Sequence, residues 1–169
     1  MKIILLGYMA SGKSTISKLL AKKLQIDAID LDDYIVEKER LSINDIFKTK
    51  GEIYYRLQEN KYLLELLDNK NSFVLALGGG TPCYANNMDL VKKMSNSIYL
   101  KANLNTLFDR LRNEKESRPI ISYLSDEKLK EFIAKHLFER APFYEEASHI
   151  ISIDNKTIAT LVEQTERLF

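Results

Sequence analysis

The chain has 169 residues, with 25 basic and 24 acidic side chains and a formal charge of +1 at pH 7. Interspersed charge of this kind provides no broad field for nucleic acid or an anionic membrane, and the length suits one domain, residues 1–169, with a real core. A single cysteine, Cys83, rules out an intramolecular disulfide.

The opening MKIILL ends its apolar run at Gly7, and Lys13 follows before any cleavage-like site, so a secretory leader is not expected. No later stretch reaches the ~18 uninterrupted apolar residues of a membrane span. The expectation is a cytoplasmic protein, monomeric, with neither nucleic-acid nor membrane partners.

Along the chain, short apolar runs alternate with longer segments of helical period. Strands are predicted over 3–6, 28–31, 73–77, 97–100 and 149–153. Helices are predicted over 13–24, 34–39, 42–48, 52–67, 85–93, 104–112, 126–145 and 157–168. The alternation implies an α/β fold, a parallel sheet covered on both faces. Ser42 is placed to cap the helix that follows it, and Gly51 separates that helix from the next. Residues 112–128 are polar at first and broken by Pro119, and they read as an excursion over the sheet.

The stretch GYMASGKS, from Gly7 to Ser14, fits G-x-x-x-x-G-K-[ST] between a predicted strand and a predicted helix. Gly7 permits the tight exit from the strand, and Gly12 lets backbone N–H groups approach phosphates. Lys13 would bridge β- and γ-phosphate oxygens, and Ser14 would ligate Mg²⁺. Ala10, Ser11 and Thr15 complete the loop as nucleotide-binding positions. The motif implies nucleoside triphosphate binding and leaves open a phosphoryl-transfer enzyme or a nucleotide-driven switch.

Four further stretches bear on that choice. DAIDLDDY places Asp30 and Asp32 two apart at a strand end, where ligands of open parallel sheets bind; Asp33 suits the cap of the next helix. One carboxylate can hold a water of a Mg²⁺ shell and the other can accept the proton of an attacking hydroxyl. Arg56 and Glu59, at i, i+3, share a helix face, as a surface pair or as an oriented guanidinium. Gly78, Gly79 and Gly80 in LALGGGTP point to a sharp bend or to backbone amides facing a substrate. Arg140 stands two residues before Pro142, which is expected to kink or restart its helix. Cys83, His136 and His149 lack partners at ligand or triad spacing.

Taken in order, GYMASGKST, DLD, SINDIFKTKGEIYYRLQE, LALGGGTP, ESRP and ERAPFYEEA resemble the shikimate kinase family over essentially the whole chain. The resemblance implies a three-layer α-β-α sandwich of P-loop kinase fold, with a five-stranded parallel sheet in the order 2-3-1-4-5. It implies ATP as co-substrate, Mg²⁺ as cofactor, and phosphorylation of the 3-hydroxyl of shikimate. By the same resemblance, Asp30 joins Ser14 at the metal, and Asp32 binds the shikimate hydroxyls and orients or deprotonates the nucleophile. Arg56 and Arg140 grip the carboxylate, Glu59 supports Arg56, and the glycine run lines the pocket. Substrate binding falls over about 32–60, and a lid over about 112–125 carries Arg118 onto the ATP phosphates.

Lys13, Asp32 and Arg118 are thus the expected catalytic residues. Arg110 is the expected adenine neighbour, with Arg112 its alternative because the segment from Arg110 to Arg118 is about one residue longer than the family pattern. Lys156 stands where the family often has an arginine at adenine. The rival readings are another small P-loop kinase, acting on gluconate or a nucleoside monophosphate, and a switch without an acceptor.

Overall fold

The computed structural model describes residues 1–115 and 120–169; Glu116, Ser117, Arg118 and Pro119 lie outside the described residues. The expected lid arginine, Arg118, is therefore among those not described.

Strand β1 (Lys2–Leu6) is an unbroken run of branched apolar side chains after its lysine, and Ile3, Ile4, Leu5 and Leu6 are all fully buried. Such a run suits a central strand, because both of its faces must be covered. It lies at the middle of a five-stranded sheet in the order β2-β3-β1-β4-β5. Its neighbours are β3 (Phe73–Ala76) and β4 (Asn96–Lys101), with Leu5 opposite Ala76 on one side and Ile98 on the other. Every pairing is parallel, so the carboxyl ends of all five strands open on one edge.

The outer strands are β2 (Asp27–Asp30) and β5 (His149–Ser152). β2 departs from the expected apolar run, since each of its residues is at least partly exposed. An edge strand has one neighbour and tolerates a polar sequence.

Seven α-helices connect and flank the sheet among the described residues: α1 (Lys13–Leu24), α2 (Leu31–Glu39), α3 (Ile43–Asp68), α4 (Asn87–Met94), α5 (Leu104–Asn113), α6 (Asp126–Tyr144) and α7 (Ile158–Glu166). α1 packs on β2, β3 and α7, and buries Ile16, Leu20 and Ala21. Each such Ile or Leu contributes about 1.5–3 kcal/mol by leaving water.

Three local expectations are corrected. α2 begins at Leu31 rather than at residue 34, so Asp32 sits in its first turn and not on a strand. Its cap is Asp30 and not Asp33, because Asp30 Oδ1 accepts the N–H of Asp32 at 3.1 Å. α6 runs through Pro142 to Tyr144 without restarting; the proline lies in the final turn, where few helical bonds are left to lose.

Other details refine the reading. Ser42 caps α3 by accepting the Asp45 N–H, as expected. The two helices predicted on either side of Gly51 meet at a kink within α3, where that glycine leaves helical geometry at φ 84° and ψ 170° and separates them as expected. The excursion after α5 is anchored rather than wholly exposed, since Ile121 is fully buried while Ile120 and Tyr123 face solvent.

Glu39, at the end of α2, fastens that helix to α3. Its carboxylate accepts from the Tyr54 hydroxyl at 2.7 Å, the Tyr62 hydroxyl at 2.8 Å and Lys50 Nζ at 3.0 Å. These donors, Tyr54 first, hold its pKa down from 4.5 to about 2. A depressed carboxyl pKa stabilises the fold above the unfolded value, and that contribution is lost as pH falls through the folded one. Glu39→Gln should therefore lower Tm by about 2–4 °C at neutral pH. Calorimetry should find the gap closing as pH falls from about 4.5 toward 2. A gap of equal width throughout that range would assign the effect to shape rather than charge.

Candidate active site

Beyond the carboxyl end of β1 the chain turns sharply at Gly7, φ 147°, where a Cβ would stand 2.8 Å from the Leu100 carbonyl oxygen. Gly12, φ 93°, caps α1, whose N-terminus faces the cleft. Ala10 also takes a left-handed φ, 61°, which costs a non-glycine residue about 1 kcal/mol. Its carbonyl accepts from Arg110 at 2.9 Å, which ties the loop to α5. Lys13 Nζ lies across the loop, donating to the Gly7 and Tyr8 carbonyls at 2.9 Å each.

The cleft has a volume of about 530 Å³, and Lys13, Ser14, Asp30, Asp32, Gly79 and Arg110 are among its walls. Ala10, Gly12 and Thr15 line it too, whereas Ser11 is fully buried beneath it. Of the two candidates for adenine, Arg110 is in the cleft wall, while Arg112 is more exposed and paired to Asp126 at 3.0 Å. Lys156 donates to Gln164 Oε1 at 3.0 Å and is not among the lining residues.

Ser14 Oγ donates to Asp30 Oδ2 at 2.7 Å, so the hydroxyl and carboxylate expected at a metal are in contact. Among the described residues no group of three or more His, Cys, Asp or Glu is arranged to hold a metal. Two neutral or anionic oxygens beside a phosphate loop nevertheless fit Mg²⁺, which binds through one or two protein ligands and keeps waters and phosphate oxygens for the rest.

Across the glycine run lies a second cluster. Arg56 Nη1 donates to Glu59 at 2.6 Å, and Glu59 is 1% exposed, so this is no surface pair. Glu59 also accepts from Thr81 Oγ1, and Glu52 accepts from Arg56 Nη2 at 3.3 Å. The guanidinium carbon sits 4.2 Å from the centre of the Tyr84 ring, a cation–π contact. Arg56 Nε is buried and has no hydrogen-bond partner among the described residues.

The glycines owe their presence to these neighbours. A Cβ on Gly80 would meet Arg56 Nη1 at 2.9 Å; one on Gly79 would meet Arg140 Nη1 at 3.5 Å. One on Gly78 would meet Thr81 Oγ1 at 2.9 Å and Asp32 Oδ1 at 3.0 Å. The run is thus a turn into which two guanidinium groups and a carboxylate converge. Arg140 also lies over the Tyr8 ring, 5.7 Å from its centre, and Tyr8 meets His136 Nδ1 at 3.1 Å.

Burial pushes the Asp32 carboxyl above its usual range, opposed by the Tyr55 bond and by Lys13 and reinforced by Asp30 and Asp33. Burial raises Glu59 as well, against the pull of Arg56. The Cys83 thiol, near both arginines, is pushed up by burial to about 11 and stays protonated.

Sequence reasoning overlooked Tyr55, Thr81 and Tyr144. Tyr55 donates to Asp32 Oδ1 at 2.9 Å, and Tyr144 donates to the Gly79 carbonyl. A signal for Tyr55 existed: it stands four residues before Glu59 and so shares its helix face. Tyr144 meets Gly79 from 65 positions away, and no local pattern encodes that.

A phosphate loop, an acidic pair beside it and two arginines converging on one glycine run, at the carboxyl edge of a parallel sheet, define a P-loop kinase. The shikimate kinase family model matches residues 9–168, and the chain belongs to that family. The shikimate kinase of Flavobacterium johnsoniae is 48% identical over 163 residues, 96% of this chain and 95% of that one. The crystal structure of the Bacteroides thetaiotaomicron shikimate kinase matches with a TM-score of 0.92 at 35% identity, covering 99% of this chain and 97% of the other. The Acinetobacter baumannii shikimate kinase, solved in complex with shikimate, matches at 0.87 and 28% identity, covering 99% and 91%.

Proposed function

We propose that this chain transfers the γ-phosphoryl group of ATP to the 3-hydroxyl of shikimate, giving shikimate 3-phosphate and ADP. The observation that carries the reading is the glycine run: Gly79 adjoins the phosphate loop and Arg140, and Gly80 adjoins Arg56. An acid held by the two guanidinium groups therefore lies next to a triphosphate held by the loop.

Each residue's part follows from its place. Arg56 and Arg140 take the carboxylate by charge-assisted hydrogen bonds. Glu59 and Thr81 hold Arg56 in one rotamer before the acid arrives, which lowers the entropic cost of binding. Asp32, in the wall between the two sites, meets the acceptor hydroxyl and orients it or takes its proton. Lys13, released from the Gly7 and Tyr8 carbonyls, neutralises charge on the transferred group. Ser14 and Asp30 would hold Mg²⁺, which supplies further charge neutralisation at the phosphates when bound.

Arg110 flanks the nucleotide, while Arg118, expected on the phosphates from a lid over about 112–125, lies outside the described residues. The whole chain then acts as one kinase domain, with acceptor contacts drawn from about 32–60. It acts as a monomer in the cytoplasm, where a lone cysteine needs no disulfide partner.

The test is release of ADP with and without an acceptor. Shikimate should stimulate it, and gluconate and nucleoside monophosphates should not. Release that no acceptor changes would make the chain a nucleotide-driven switch instead.

Gly80→Ala separates acid binding from nucleotide binding. The backbone at Gly80, φ −90°, accepts any residue, so the new methyl would displace only the far end of Arg56. KM for shikimate should rise about tenfold or more and Tm should fall, because the displaced guanidinium slackens its pair with buried Glu59, while KM for ATP is unaffected. An unaltered shikimate KM would remove Arg56 from the acid's binding site.

A further inference from the structure

Tyr55 is 5% exposed, and its hydroxyl donates to Asp32 Oδ1 at 2.9 Å across the junction of α2 and α3. Its ring is held on both sides: the Phe47 ring lies 4.8 Å away between centres, and the Arg56 guanidinium carbon lies 5.4 Å from the Tyr55 centre. Burial, followed by the charges of Asp32 and Glu59, raises the phenol well above its ordinary range. It therefore stays protonated and remains a donor wherever the protein is folded and active.

We propose that Tyr55 is a positioning residue for the transfer, its hydroxyl holding Oδ1 of Asp32 so that Oδ2 is presented to the acceptor hydroxyl. The inference rests on the reading above, that Asp32 meets that hydroxyl. Gly78 closes the arrangement, since Asp32 Oδ1 lies 3.0 Å from where a Cβ there would be. The carboxylate is thus wedged between a phenol and a bare backbone, with one oxygen engaged. A carboxyl in the first turn of a helix is otherwise free to rotate about two bonds, and rotation by an ångström spoils alignment of the nucleophile.

The same bond favours the ionised form of Asp32 against burial and against Asp30 and Asp33; Lys13 acts on the same side as Tyr55. Glu59, Asp32's other acidic neighbour, is already engaged by Arg56 and Thr81.

Tyr55→Phe keeps the ring and its packing and removes only the hydroxyl. The expected result is a kcat about tenfold lower, with KM for shikimate and KM for ATP both nearly unchanged. In an Asp32→Asn background the same substitution should have little further effect, because the two side chains act as a unit. A crystal structure of the Phe variant, with no substrate present, should show the Asp32 carboxylate turned from its parent rotamer. A purely structural bond would lower Tm and leave kcat in place, and that outcome overturns the proposal. An Asp32 rotamer unmoved by Tyr55→Phe overturns it as well. Should the parent protein turn over no shikimate, the functional reading has failed, while the Asp32 rotamer in the variant still decides whether Tyr55 governs Asp32.

Discussion

Replacing Asp32 by Asn should lower kcat by about 10²–10⁴-fold and at the same time raise Tm. The first effect follows from the role assigned to this carboxylate, the only one of the expected catalytic side chains that can accept a proton from the acceptor. The second follows from its surroundings, because burial, Asp30 and Asp33 all disfavour its charge. A carboxyl whose folded pKa lies above its unfolded value destabilises the protein when ionised. That cost is absent below the ordinary carboxyl range and is fully present once pH exceeds the folded pKa. At neutral pH the asparagine variant escapes it. Steady-state kinetics with both substrates saturating, paired with calorimetry, test both halves. A variant that turns over normally would leave the hydroxyl to some other group, and one that is less stable would contradict the electrostatic account.

Arg56→Ala should abolish acid binding and cost about 3–5 kcal/mol of stability, because it strips the cation from a carboxylate that is 1% exposed. Arg140→Ala should weaken acid binding by a similar factor, about 10²-fold or more, with a much smaller loss of stability. Arg140 lies beside Tyr8 and Gly79, and among the described residues it forms no salt bridge that its loss would break. The pair therefore separates binding from folding. Titration calorimetry with shikimate reads the first quantity and thermal unfolding the second. Equal stability losses in the two variants would mean that Glu59 has support the geometry does not show. Undiminished heats of binding in either would remove that arginine from the carboxylate site.

The legible parts of this protein were those that a short window of chain can encode. The spacing of Gly7, Gly12, Lys13 and Ser14 needs only a strand, a tight turn and a helix N-terminus, all within reach of local geometry. The alternation of apolar runs with helical periods yields a parallel sheet because hydrophobic periodicity reports which faces are covered. The i, i+3 spacing of Arg56 and Glu59 puts them on one face, although whether that face meets water is not a local property. The helix start after β2 was misplaced for a local reason: Leu31 continues the apolar run, while Asp30 has the alternative of capping. Nothing within eight residues says which will win.

What the chain's order of residues determined by itself was the phosphate grip, the fold class and the candidates for each role. Only the tertiary structure decided that Glu59 is buried, that Arg110 rather than Arg112 walls the cleft, and that Tyr55 reaches Asp32. It also showed why Gly78, Gly79 and Gly80 are bare: Asp32, Arg140 and Arg56 arrive there from three different helices. The reason is physical. Burial and convergence are set by how helices pack over a sheet, and contacts between residues 23 or 65 positions apart depend on chain crossings that no local pattern encodes.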